Sequence, residues 1–191
     1  MRRINGNSKR MAKATWLVAV LLLMATLQSL AQTTQQPRRQ VLVSILDRKL
    51  AVLEDGQMLK VFPVAVGAQV SPSPAGEFRI INRLTNPTYY YPGTVIPPGP
   101  ANPLGSRWIG LNLKGYGIHG TNAPRSIGKA ASHGCIRLAK RDLEQLFDLL
   151  RVGDTVVIRA QADQQTAQIF GAGETLVAQA QAASTISAGG Q

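Results

Sequence analysis

The chain has 191 residues, 45% of them apolar, and a formal charge of +11. This suits one folded domain with a real core and argues against a disordered polymer. Five bases (Arg2, Arg3, Lys9, Arg10 and Lys13) precede an apolar run, and the other 16 are scattered among 10 acids that all follow it. Such mild, unclustered basicity fits an anionic envelope polymer or membrane surface; without an aromatic and basic stripe it speaks against nucleic acid.

Residues 1–31 read as a secretory signal. A basic start leads into the apolar run Ala14–Ala25, and Ser29-Leu30-Ala31 supplies a small-x-small cleavage pattern. The run falls short of the roughly 20 residues needed to span a bilayer, so cleavage after Ala31 is favoured over an uncleaved anchor. No cysteine lies near that point, which excludes lipoprotein anchoring. Export to the periplasm or cell envelope is the expectation.

Residues 32–39 are polar and read as a linker. From Gln40, the β-branched run Val41–Leu46 predicts a strand, Leu50–Leu53 a second and Leu59–Val66 a third, with Glu54-Asp55-Gly56 as a hairpin turn. Pro63 marks the third as an edge strand or a bulge. Ser71–Gly76 holds two prolines and is irregular. Glu77–Leu84 alternates as a half-buried strand does. Thr85–Ser106 carries six prolines and three consecutive tyrosines, Tyr89–Tyr91. It reads as a long loop without regular structure, either a packed surface excursion or a wall over a cleft. Arg107–Leu111 and Tyr116–His119 are short strands, and Asn122–Gly128 holds a turn with one helical turn. Lys140–Leu150 is a helix, with Leu143, Leu146, Phe147 and Leu150 on one stripe and Gly153 in a C-cap position. Thr155–Ile158 is the last strand. Residues 160–191, rich in Ala and Gln, read as a mobile tail with a marginal helix near 174–183.

The chemistry concentrates in Ser132-His133-Gly134-Cys135-Ile136-Arg137-Leu138. It contains the only cysteine and one of two histidines; the other, His119, lies 16 positions before Cys135. A lone thiol in an oxidising compartment cannot form an internal disulfide and is a liability unless buried or used. Attack on an amide carbonyl needs a thiolate, a base, oxyanion donors and a recognition group. Cys135 offers the first, with a lowered pKa expected of a working nucleophile, and either His119 or His133 the second. The amides of Gly134 and Cys135 offer the third, and Gly134 lets substrate approach the backbone closely. Arg137, on the same side as Cys135 in an extended segment, offers a carboxylate anchor or a means of lowering the thiol pKa. Competing readings are a buried structural cysteine, a core histidine, and a three-ligand zinc site of His119, His133 and Cys135.

Ile118-His119-Gly120-Thr121-Asn122 followed by Ser132–Leu138 resembles the signature of the L,D-transpeptidase catalytic domain (YkuD) family. Ser73–Phe78 and Asn102–Leu111 are similar to further family segments, and the resemblance runs from about residue 40 to 159. It implies a mainly β fold with minor α, a mixed-sheet sandwich with one substantial helix and a cleft carrying Cys135. It implies Cys135 as nucleophile and His119 as general acid/base, with Ser132, His133 and Gly134 shaping the thiol surroundings and oxyanion site. Arg137 matches one branch of the family. Gly120 stands where some members have serine, so His119 is expected to be oriented by a backbone carbonyl. The implied reaction is 3→3 cross-linking of peptidoglycan tetrapeptide stems through an acyl-enzyme with loss of D-Ala. No metal or organic cofactor is implied, and carbapenem-type β-lactams are expected to acylate the cysteine. An L,D-carboxypeptidase, a transferase attaching an envelope protein, and a non-catalytic wall-binding module are the alternatives.

Overall fold

The computed structural model describes residues 39–171. The signal segment, most of the linker and the helix expected near 174–183 lie outside the described residues. The chain begins with three consecutive antiparallel strands, β1 (Arg39–Ser44), β2 (Lys49–Glu54) and β3 (Gln57–Pro63). Asp55 and Gly56 both take positive φ, +50° and +82°, so their turn has the backbone hand that a tight hairpin requires. β3 is the outer strand of the sheet, as its proline predicts, but the irregularity falls opposite Val52 and Leu53 rather than at Pro63, the strand's last residue.

After β4 (Val66–Gly67) come β5 (Gly76–Thr85), β6 (Tyr89–Tyr91), β7 (Thr94–Ile96), β8 (Arg107–Leu111) and β9 (Gly117–His119). β10 (Ala130–Ser132), β11 (Ile136–Arg137), helix α1 (Lys140–Leu149) and β12 (Thr155–Arg159) follow. Eight strands form one sheet in the order β11-β9-β8-β5-β12-β1-β2-β3, with β1–β12 and β9–β11 parallel. β5 turns the sheet. Its residues 76–79 pair with β12 and its residues from Ile80 pair with β8, with a register shift between Ile80 and Asn82. The result is the expected mainly β, mixed architecture, curled about one substantial helix.

The middle of β1, Val41–Val43, is continuously apolar because both faces of the strand are covered there. Val41 and Val43 join Leu143, Leu146 and Leu150 of the helix stripe in the main core, together with Ile109, Ile118 and Ile136 from the far strands. Leu42 faces the other way, into a second cluster with Ala51, Leu53, Val157 and Phe170. The tail expected over residues 160–191 is corrected by Phe170 for residues 160–171; the rest of it lies outside the described residues. Gln164–Thr166 form a helical turn that continues as a π-turn to Gly171. Asp163 caps the turn by accepting from the Thr166 amide at 2.8 Å, while Thr166 Oγ1 accepts from the Asp163 amide at 2.8 Å.

Two further expectations need correcting. Gly153 does not cap α1; the cap is Leu150 in extended backbone, held by burial of its side chain. Gly153, at φ +97°, instead makes the turn into β12 and donates its amide to Ile80. The proline-rich loop also contains regular structure, the hairpin β6–β7, turning at Pro92-Gly93 with Gly93 at φ +74°.

Candidate active site

Strand register assembles the site. β8, β9 and β11 lie side by side, with Trp108 opposite His119 and His119 opposite Arg137. Partners in register share a face, so these three side chains form a row. Their neighbours Ile109, Ile118 and Ile136 form a second row on the opposite face and are buried in the main core. Cys135 stands two residues before Arg137, at the mouth of β11.

His119 is the buried member, 5% exposed. The indole of Trp108 stacks against it, with centroids 5.6 Å apart and planes 24° from parallel. Two glycines make room for that indole. A Cβ on Gly117 would come within 2.7 Å of the Trp108 ring and of the Ile109 carbonyl, and one on Gly110 within 2.8 Å of Trp108 Nε1. His119 Nδ1 lies 2.7 Å from the Gly120 carbonyl. A carbonyl only accepts, so Nδ1 carries the proton and Nε2 is left as the acceptor. The backbone orientation expected from Gly120 is thus present. Gly120 itself is pinned from behind, its amide donating to the Leu104 carbonyl at 2.8 Å with Gly105 packed against its Cα.

Ser132 is buried and closes the turn that presents the thiol. Its hydroxyl donates to the Cys135 carbonyl at 2.6 Å and accepts from the Gly134 amide at 3.0 Å. That second bond corrects one expectation: the Gly134 amide is engaged and is not an oxyanion donor. Nor does Gly134 leave its flank open to substrate. It sits at φ +109°, and a Cβ there would meet the Tyr116 ring at 2.7 Å. Glycine is needed for both the backbone conformation and that close approach.

The half-buried Cys135 donates to the Gly115 carbonyl at 3.5 Å. Burial pushes its thiol above the ordinary cysteine value, against the lowering influence of the Gly117 amide and the Arg137 charge. The low-pKa cysteine expected from sequence is therefore corrected: desolvation outweighs both stabilising groups. Burial likewise holds His119 at about 4, reinforced by the Arg137 charge and opposed by the Gly120 and Pro103 carbonyls. The resting pair is a neutral thiol and a neutral imidazole.

His119, His133, Cys135 and Arg137 all line one cleft of about 760 Å³. Tyr89, Tyr90 and Tyr91 of the hairpin line the same cleft, which decides between the two readings of the proline-rich loop in favour of a cleft wall. His133 is exposed at the rim. Arg137 is half-buried and donates from Nη1 to the Ala131 carbonyl at 3.4 Å, placing a cation beside the thiol. Among the described residues no three His, Cys, Asp or Glu side chains converge as metal ligands, contrary to the zinc alternative. Sequence reasoning passed over Trp108 and Tyr116; the glycines that accommodate them were the available signal.

Fold and site define a mainly β protein with a cysteine–histidine cleft. The model of the L,D-transpeptidase catalytic domain (YkuD) matches residues 38–158, and the chain belongs to that family. Its relatives include YkuD of Bacillus licheniformis, 40% identical over 118 residues that make up 62% of this chain and 64% of that protein. YqjB of Bacillus subtilis is 35% identical over 148 residues, 75% of this chain and 84% of that protein. Both bear L,D-transpeptidase names. Among solved structures, the fold is similar to an L,D-transpeptidase from Mycobacterium smegmatis (TM-score 0.56, 22% identity, 65% of this chain and 59% of that one). It is also similar to an L,D-transpeptidase in complex with imipenem (TM-score 0.55, 21% identity, 64% and 59%).

Proposed function

We propose that this protein is an exported L,D-transpeptidase that forms 3→3 cross-links in peptidoglycan through an acyl-enzyme on Cys135. Family membership supports the reaction class. The observation that carries the chemistry is that Cys135 opens into the same cleft as an imidazole whose Nδ1 proton is anchored on the Gly120 carbonyl. That tautomer leaves Nε2 to accept the thiol proton as Sγ attacks.

The donor is a tetrapeptide stem. Sγ bonds to the carbonyl carbon of the L-centre of diaminopimelate, the carbonyl electrons move to oxygen, and Nε2 of His119 takes the thiol proton. Collapse breaks the C–N bond to D-Ala, whose departing amine recovers that proton. The diaminopimelate amine of a second stem then attacks the thioester, again losing a proton to His119, and Cys135 leaves as the thiol. The Cys135 amide remains the backbone donor beside the developing oxyanion, because Gly134 is committed to Ser132. Arg137 supplies the positive charge for a stem carboxylate. Because the resting pair is neutral, the thiol proton has to pass to Nε2 of His119 for Sγ to attack.

A similar structure was solved in complex with imipenem, which supports carbapenems as ligands of this cleft. The test is mass spectrometry of the protein with a carbapenem. Addition of one drug mass mapped to Cys135, absent in Cys135→Ala, is expected; no adduct, or an adduct elsewhere, contradicts the assignment. Export is tested by the mature mass: loss of residues 1–31 is expected, and an intact N terminus in the envelope fraction would refute cleavage.

A further inference from the structure

The hairpin β6–β7 is too small to hold itself. It has three residue pairs, and Tyr90, Tyr91 and Val95 are 74%, 64% and 64% exposed. An isolated two-stranded ribbon of that size is marginal in water. Yet its tyrosines form a wall of the catalytic cleft. Something outside the hairpin sets its position in the cleft that Cys135 also lines.

Asn102 occupies that place. It is 1% exposed, and its amide nitrogen points at both ends of the hairpin: the Pro87 carbonyl at 2.8 Å before β6, and the Ile96 and Pro97 carbonyls at 3.2 Å at the end of β7. Its Oδ1 accepts from the Leu104 amide at 2.8 Å. Its own amide donates to Gly99, and its carbonyl accepts from Gly105, each at 3.1 Å. Leu104 and Gly105 are the residues packed behind Gly120, whose carbonyl orients His119. One side chain therefore ties the tyrosine wall to the wall that carries the base. Only a carboxamide has both the donors and the acceptor this requires: aspartate lacks the N–H groups, and alanine lacks everything.

We infer that Asn102 is a positioning residue that holds the Tyr89–Tyr91 hairpin in the position needed to seat a stem peptide in the cleft that Cys135 also lines. The functional half rests on the transpeptidase reading above; the structural half does not. Asn102 touches no reacting atom. It acts through the hairpin, so its loss weakens handling of a large substrate and leaves the thiol's encounter with a small reagent intact.

The test uses Asn102→Ala and Asn102→Asp, Tyr91→Ala, and the double variant Asn102→Ala/Tyr91→Ala. Aspartate keeps the Leu104 bond and serves if the alanine variant does not fold. Hydrogen exchange of hairpin amides should quicken about tenfold or more, with β9 and α1 unchanged. The kcat/KM for a disaccharide-tetrapeptide should fall about tenfold, mainly through KM, while alkylation of Cys135 by iodoacetamide stays within about twofold. In the double variant the losses should not add, because both changes act through one element. Additive losses, exchange quickened equally in α1 and β9, or an unchanged hairpin would overturn the inference. Should the unaltered protein leave the tetrapeptide untouched, the transpeptidase reading fails, and hairpin exchange still decides the role of Asn102.

Discussion

Lowering the pH should selectively withdraw the contribution that His119 makes to the fold. Burial, aided by the Arg137 charge, depresses its pKa from 6.5 to about 4. That difference corresponds to about 3 kcal/mol at 25 °C. In the unfolded chain the imidazole takes up a proton below 6.5, whereas the folded protein refuses it until about 4. Stability is therefore unaffected by this group above 6.5, declines as pH falls through that interval, and has lost the full contribution below about 4. The measurement is urea unfolding across that range for the protein and for His119→Gln. The difference between their unfolding free energies should shrink by about 3 kcal/mol from neutral pH to pH 4. Acylation should show its acid limb near 4 rather than near 6.5. Parallel stability curves, or an acid limb at the ordinary histidine value, would refute the account of a buried neutral base.

Trp108→Ala should admit water to His119, raise its pKa toward 6.5 and move the acid limb of acylation upward, with Trp108→Phe largely restoring the original profile; an unmoved limb would show that the indole does not shield the base. Ser132→Ala removes two hydrogen bonds around the thiol turn and should cost about 1–3 kcal/mol in urea unfolding, because the Gly134 amide is left without its partner. Phe170→Ala uncovers Leu42, Ala51, Leu53 and Val157 and should cost roughly 3–5 kcal/mol; a loss below 1 kcal/mol would mean that residues beyond Arg159 do not complete the second core.

Elements fixed by local pattern were legible in the sequence. The helix stripe of Leu143, Leu146 and Leu150, the Asp55-Gly56 turn and the strand alternation all lie on the chain itself. What depended on tertiary placement was not. Pro92-Gly93 between Tyr89–Tyr91 and Thr94–Ile96 is a turn signal, but the surrounding prolines hid a hairpin of three pairs. Asp163 and Thr166 form a capping box that the sequence contains, yet only the packing of Phe170 shows that this segment belongs to the core. Either histidine could be a base on paper. The structure separates them by burial and by the Trp108 stack, placing His119 inside and His133 at the rim. The raised thiol pKa was illegible for the same reason: nearby Arg137 argues for a lower value, and only the depth of Cys135 shows which effect prevails.

The most direct test of the central claim is product analysis. The protein and its Cys135→Ala variant would each be incubated with a purified disaccharide-tetrapeptide, and the products read by mass spectrometry. The account predicts a cross-linked dimer that has lost one D-Ala, formed only when Cys135 is present. Tripeptide monomer alone would contradict the cross-linking step and assign the acceptor role to water, and equal dimer from the Cys135→Ala variant would contradict the nucleophile itself.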